Sequence, residues 1–260
     1  MSADRLRERL AARGRDWPGG IESFPVLDST NEEVRARARA GTAAPWLAVI
    51  AERQTEGRGR RGRSWASPHG NLYLSLLAPM PTLPDARPLV PLIAGLAVAE
   101  ALLEFGVEPR LKWPNDVLCG GRKLAGVSAE ASFAGGEADA VVLGIGVNVR
   151  VNPLGDLATS VLELTGEGLD PLEVAAAVLI RLRERHLELR AGGSALALDA
   201  WRARSIEWWG RAVEVTSGEQ ALRGIAVGVD EGGALILELP DGRRQTVVAG
   251  EARELRLGGR

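Results

Sequence analysis

The sequence predicts an α/β domain, strands interleaved with helices, over 1–209, then a small antiparallel β-module over 210–260. Three observations predict it. Strand-like and helix-like segments are interleaved as far as Trp208. Two amphipathic runs, Leu172 to Leu189 and Leu196 to Trp208, then close the first part. From Gly210 the character changes. Short apolar runs recur at 212–217, 221–229, 234–239 and 245–248. Ser217-Gly218, Glu231-Gly232-Gly233 and Asp241-Gly242 separate them, which is the spacing of a small barrel or sandwich.

The elements follow in order. Residues 1–20 predict a short charged helix ending at Gly14 or by Trp17-Pro18. Ile21 to Leu27 predicts a strand. Ser29 and Glu32 have capping-box spacing, so a helix starts there, and Gly41 stops it. Trp46 to Glu52 is apolar enough for a buried strand. Residues 53–70 form an Arg/Gly loop, and Asn71 to Ala78 a further strand. After a Pro-rich turn, Leu89 to Phe105 is rich in Ala and Leu and predicts a long helix. Val107 to Lys112 and Val117 to Leu118 are short strands around Trp113-Pro114-Asn115-Asp116. Cys119-Gly120-Gly121-Arg122 is a hairpin turn. Lys123 to Ala131 and Ala140 to Val149 are strands, and 152–168 has no clear periodicity.

Composition narrows the function classes. A chain of 260 residues holds one large domain, or one large and one small. Its net charge of -2 gives no overall pull towards nucleic acid or a membrane surface. The single Cys119 excludes an internal disulfide and a multi-Cys metal site, and fits a reducing cytosol. His69 and His186 lack metal-ligand spacing. The first twenty residues have no apolar run, so no signal peptide is expected. No bilayer-spanning stretch is expected either. The expected location is cytoplasmic.

Positive charge is local. Gly57-Arg-Gly-Arg-Arg-Gly-Arg63 puts four arginines and three glycines into seven residues, with Ser64-Trp65 after them. Glycine lets backbone approach a ligand, and arginine matches phosphate and carboxylate. The stretch also fits G-x-G-x-x-G, but no helix follows the last glycine to hold a pyrophosphate, so a dinucleotide fingerprint is rejected. A disordered nucleic-acid-binding tract and a plain solvated loop are the alternatives. Among 32 basic residues only Lys112 and Lys123 are lysine, and one short segment holds both. Lys112-Trp-Pro-Asn-Asp116 could be an ordinary β-turn, and Gly144-Ile-Gly-Val-Asn148 a Gly-interrupted core strand. These residues alone indicate a nucleotide- or anion-binding enzyme.

Together they indicate more. Asp28-Ser-Thr-Asn31, Ala51-Glu-Arg-Gln54, Gly57 to Trp65, Asn71-Leu-Tyr-Leu-Ser75, Lys112-Trp-Pro-Asn-Asp116, Arg122-Lys-Leu-Ala-Gly126 and Gly144-Ile-Gly-Val-Asn148 occur in that order. The series resembles biotin protein ligase over about 21–257. The resemblance implies an α+β fold: a mixed β-sheet catalytic domain of the biotin/lipoate ligase (class II synthetase-like) type with a small C-terminal SH3-like β-barrel. It also implies a form lacking the N-terminal DNA-binding domain, because only some twenty residues precede the catalytic region.

The implied reaction makes biotinyl-5′-AMP from biotin and ATP, then passes biotin to one lysine of a biotin carboxyl carrier domain of acetyl-CoA carboxylase or a related carboxylase. Mg²⁺ is the implied metal, and a homodimer that binds neither DNA nor membrane the implied assembly. By position, Ser29, Thr30, Asn31, Gln54, Gly57, Arg58, Gly59, Arg60, Lys123 and Gly126 would bind biotin. Arg58, Arg60, Arg63, Trp65, Lys112, Asn115, Lys123 and Asn148 would bind ATP or adenylate, with Trp65 stacking on adenine. Lys123, Arg58 and Asp116 would be catalytic, Asp116 either holding Mg²⁺ or orienting the incoming lysine. A lipoate ligase is the nearest alternative.

Overall fold

The computed structural model describes residues 1–59, 62–81, 84–134, 137–217 and 220–255. A seven-stranded mixed sheet forms the centre, in the order β1-β2-β3-β7-β6-β5-β4. Its strands are β1 Ile21–Leu27, β2 Ala48–Gln54, β3 Leu72–Pro79, β4 Arg110–Lys112, β5 Asp116–Cys119, β6 Arg122–Ala134 and β7 Glu137–Val147. The β1–β2 pair is parallel and every other pair antiparallel. Helix α2, Thr30–Arg39, makes the crossover that a parallel pair requires.

One face of this sheet is apolar throughout. Ile50, Leu72, Leu74, Leu76, Leu143, Ile145 and Val147 meet α3 Val90–Leu103 and α5 Pro171–Arg190, and α1 Ala3–Ala12 adds Leu6 and Leu10. Helix α3 is apolar all round because α5 covers the side turned away from the sheet. Contrary to the sequence expectation, Pro84–Leu103 is long and apolar enough to cross a bilayer by length and composition. Its side chains are mostly buried within this core. The opposite face is covered at one end only, where α2 packs on Leu47, Val49, Leu77 and Val142 through Val34.

Several boundaries differ from expectation for local reasons. Ser29 makes no side-chain cap on α2. Gln54 Oε1 takes the Thr30 N–H instead, at 2.8 Å, and Glu32 turns outward to Arg35 and Arg58. The predicted strand at Trp46 begins at Ala48, since Trp46 sits at φ 69°, a strained conformation for a bulky residue. Packing explains its tolerance: the ring stands edge-on to Trp17 and His186. The stretch without periodicity contains α4, Val161–Thr165, capped by Ser160 and stopped by Gly166 at φ 77°. Helix α6, Ser194–Ala203, ends short of Trp208 because the backbone of 204–206 pairs with Leu111 of β4.

The C-terminal strands β8 Ala212–Ser217, β9 Gln220–Val229, β10 Leu235–Glu238, β11 Arg244–Val247 and β12 Glu251–Glu254 form a second, antiparallel sheet, order β11-β10-β9-β8-β12. Gly218 of the predicted first turn lies outside the described residues. Strand β12, Glu-Ala-Arg-Glu, was not expected, since it shows no apolar alternation. The module is not a loose appendage. Val213, Ala226 and Leu235 join the same core as Leu89 and Leu92. Trp113 Nε1 donates to the Gly233 carbonyl at 3.0 Å, and the Trp113-Pro114 bond is cis.

His186 carries a prediction. Its Nε2 lies 2.7 Å from the Pro79 carbonyl. Burial pushes its pKa down, Pro79 opposes this, and Arg190 adds to the lowering. The neutral ring is therefore the folded form. Unfolded histidine titrates near about 6.5, so stability is full above that value and is lost as pH falls below it. The denaturation midpoint is expected to drop as pH falls below about 6.5, and His186→Gln to flatten that slope. An equal slope in both proteins would refute the assignment.

Candidate active site

The site occupies the part of the sheet that α2 leaves uncovered. Across the strands, Ser75 of β3, Gly144 of β7 and Ser128 of β6 stand in one row. Tyr73, Gly146, Gly126 and Asp116 stand in the next, with Lys112 of β4 opposite Asp116. Glycine is required in this floor. A Cβ on Gly144 would lie 2.3 Å from Asn31 Oδ1, and one on Gly146 2.5 Å from the Trp65 ring.

One end is polar but uncharged. Asn31 Nδ2 donates to Ser128 Oγ at 3.0 Å, and Ser75 Oγ lies 2.6 Å from Asn31 Oδ1 and 2.7 Å from Thr30 Oγ1. Gln54 Oε1 accepts from Thr30, while its Nε2 donates to Ser67 Oγ at 2.9 Å. Ser29, Thr30, Asn31, Ser75 and Ser128 are all buried. Donors and acceptors without net charge suit a neutral, planar heteroatom group, and any such ligand must match them, because buried polar atoms left unpaired are costly.

The other end is charged. Lys123 Nζ sits 2.6 Å from Asp116 and 5.2 Å from the centre of the Trp65 ring. A bulge brings it there. Strict alternation from Gly126 would aim Leu124 at the site and Lys123 into the core. The register shift between Val117 and Leu118 lets both Ala125 and Leu124 bury, and Lys123 emerges beside Asp116.

The Arg/Gly stretch forms a hairpin at the rim, not an open loop. Trp65 N–H donates to the Gly57 carbonyl and Gly59 N–H to the Arg63 carbonyl, both at 2.7 Å. Arg60 lies outside the described residues. Arg58 pairs with Glu32 at 2.7 Å, and Arg63 with Glu251 of β12 at 3.0 Å. Burial pushes the Glu251 carboxyl up, but Arg63, Arg253 and Lys112 outweigh it and hold the group below its usual value. The C-terminal module therefore meets both the hairpin and the Lys112-to-Asp116 segment.

The remaining expected residues line or brace this end of the site. Trp65 lies across Gly126 and Gly146 beside Lys123, with its Nε1 unpaired among the described residues. Asn148 is buried and donates to the Thr159 carbonyl at 3.0 Å, bracing the chain next to Lys123. Asn115 Nδ2 donates to the Val127 carbonyl at 2.6 Å. Sequence reasoning missed Ser67, Tyr73, Ser75 and Ser128. Their only signal is position: two of them alternate in the strand signature Asn71-Leu-Tyr-Leu-Ser75, so Tyr73 and Ser75 share a face.

The similarities of this chain to known proteins point to one class, the biotin/lipoate protein ligases. Residues 23–148 match the biotin/lipoate A/B protein ligase family, and residues 209–252 the biotin protein ligase C terminal domain. The biotin–[acetyl-CoA-carboxylase] ligase of Mycobacterium tuberculosis is 36% identical over 259 residues, covering 96% of this chain and 94% of that protein. A biotin protein ligase from Aquifex aeolicus, solved with biotin and ATP, superposes with a TM-score of 0.78 at 31% identity, covering 91% of this chain and 99% of that one. The Leishmania major biotin protein ligase, solved with biotinyl-5-AMP, gives a TM-score of 0.65 at 26% identity, covering 89% and 100%. The chain belongs to the biotin protein ligase family.

Proposed function

We propose that this chain activates biotin with ATP and transfers it to a lysine of a biotin carboxyl carrier domain. The observation that carries the reading is one sheet face with an uncharged polar pocket at one end and Lys123 at the other, separated by glycine. Biotin has the same polarity: a neutral ureido head and a carboxylate tail. A biotin carboxylate oxygen attacks the α-phosphorus of ATP, and pyrophosphate leaves. The lysine amine of the carrier then attacks the acyl carbon, AMP leaves, and the amine loses a proton.

Thr30, Asn31 and Gln54 hold the ureido group in this reading, with Ser29 buried next to them and Gly57, Gly59 and Gly126 allowing close approach. Lys123 meets the carboxylate and α-phosphate. Arg58, Arg63 and Lys112 bind the phosphates in this reading, a role the resemblance also gives Arg60, and each charged hydrogen bond contributes about 1.5–3 kcal/mol. Trp65 lines the tail, with Asn115 and Asn148 bracing the strands beside it. Among the described residues no three His, Cys, Asp or Glu side chains gather to hold a metal. Mg²⁺ would be carried on the phosphates, the mode usual for nucleotide sites, with the Asp116 carboxylate as the residue that would hold it. It would neutralise the departing pyrophosphate. A cytoplasmic homodimer is the assembly we propose.

Biotin-dependent exchange of labelled pyrophosphate into ATP tests the first half-reaction, with lipoate in parallel. Exchange with biotin alone is expected. Exchange with lipoate alone, or with neither, would overturn the reading.

Asp116 is the carboxylate paired with Lys123, and a lysine amine titrates near about 10.4, so the second step needs a group to take its proton. Asp116→Asn is expected to slow transfer from preformed biotinyl-AMP by about 10²-fold, the lower end of what general base catalysis contributes. Supplying the adenylate removes the carboxylate attack that Lys123 assists from the readout. Transfer at the wild-type rate would remove Asp116 from the step.

A further inference from the structure

Ser67 belongs to no expected site, yet it stands at a joint. It is 8% exposed and closes the hairpin at its C-terminal foot. Its Oγ donates to the Trp65 carbonyl at 2.9 Å and accepts from Gln54 Nε2 at 2.9 Å. Gln54 reaches the other way, its Oε1 taking the Thr30 N–H at 2.8 Å and the Thr30 hydroxyl at 3.1 Å. One amide thus stitches the first turn of α2, which builds the uncharged pocket, to the hairpin that carries Arg58, Arg63 and Trp65. The joint is tight. A Cβ on Gly57 would lie 2.4 Å from both Ser67 Oγ and the Trp65 carbonyl, and 3.0 Å from Gln54 Nε2. Tyr73 fixes the next residue by donating to the Pro68 carbonyl at 2.7 Å, and burial pushes its phenol pKa up, so it stays a donor.

We propose that Ser67 is a positioning residue for adenylation: through Gln54 it sets the Arg/Gly hairpin in register with the pocket holding the uncharged head of the substrate. The proposal rests on the biotin-ligase reading given above. Gln54 has a two-sided amide, so moving either partner moves both. A ligand group that engages Thr30 pulls on Gln54 Oε1, and the opposite end of the same amide pulls on Ser67 and the Trp65 backbone. The hairpin foot then responds to pocket occupancy with no contact between Ser67 and substrate.

The test is a double-mutant cycle on biotin-dependent pyrophosphate exchange in the full chain. Ser67→Ala is expected to lower kcat about tenfold and to raise the KM for biotin. Thr30→Val removes the hydroxyl contacts with Gln54 and Ser75, and keeps the shape and the N–H contact with Gln54. Residues without a shared partner act independently, so their effects on kcat/KM multiply. The relay predicts instead that the double variant is little worse than the worse single one, and that Ser67→Thr, which keeps the hydroxyl, recovers activity to within about threefold. A kcat for Ser67→Ala within twofold of wild type, or multiplicative effects in the cycle, overturns the proposal. If Ser67→Ala lowers the melting temperature by more than a few degrees, Gln54→Met replaces it in the cycle against Thr30→Val, with the same expectation. Absence of exchange in the wild-type protein would instead sink the ligase reading, which separates the two failures.

Discussion

Gly144→Ala is expected to weaken biotin binding by roughly ten- to a hundredfold and to lower stability, although alanine ordinarily stabilises a strand. In a strand interior glycine costs roughly 0.5–1 kcal/mol relative to alanine. Here the added methyl would stand 2.3 Å from Asn31 Oδ1, 2.5 Å from Asn31 Nδ2 and 2.6 Å from Ser128 Oγ. Asn31 cannot yield cheaply, because Ser75 and Ser128 hold both ends of its amide. Displacing it leaves a buried polar atom unpaired, which costs about 1–3 kcal/mol and exceeds the propensity gain. The same loss in the bound state accounts for the fall in affinity. Calorimetric titration with biotin and a thermal melt read the two effects separately. A variant that melts higher and binds biotin as well as wild type would show that the Asn31 network is dispensable.

Much of this arrangement was legible in the chain, for physical reasons that differ by residue. The long apolar runs of the central strands and of Leu172 to Leu189 are read directly, because burial on a sheet face or between helices leaves a period in the sequence. Strand β12 left none: Glu-Ala-Arg-Glu is held by backbone pairing with β8, and only Ala252 is buried. The capping box at Ser29 and Glu32 fitted by spacing but lost to an acceptor from another strand, Gln54 Oε1, which local spacing cannot reveal. Trp65 was placed beside the adenine through the resemblance. In the fold it covers Gly126 and Gly146, where only glycine leaves room for an indole against the sheet, a neighbourhood that spacing does not reveal.

Neither could spacing show how the two ends of the site are joined. The residues contacting the uncharged end come from α2, β2, β3 and β6, and the hydroxyls of Ser75 and Ser128 look like any strand serines until the rows are aligned. The bulge after Val117 is likewise invisible, since it inserts one residue into an alternation that glycine already interrupts. Without it the lysine would point into the apolar core and the site would have no cation on this strand.

That geometry sets the largest effect expected of any single substitution. Lys123→Met should lower kcat for biotin-dependent pyrophosphate exchange by about 10²–10³-fold, the loss seen when one preorganised donor to a developing charge is removed. Stability should hardly change. The Lys123–Asp116 pair is partly exposed, and such pairs contribute about 0–1 kcal/mol. Lys123→Arg should not restore the rate. A guanidinium is wider and planar, and beside the Trp65 ring it cannot place a compact charge where the ammonium sits. Transfer from preformed biotinyl-AMP should fall less than exchange, because the carboxylate attack that Lys123 assists is already complete. Exchange kinetics, a thermal melt and single-turnover transfer on the same preparations decide the matter. Exchange within tenfold of wild type in Lys123→Met, or full rescue by arginine, would mean that the bulge places this lysine for structure and that the cationic work falls to the arginine hairpin.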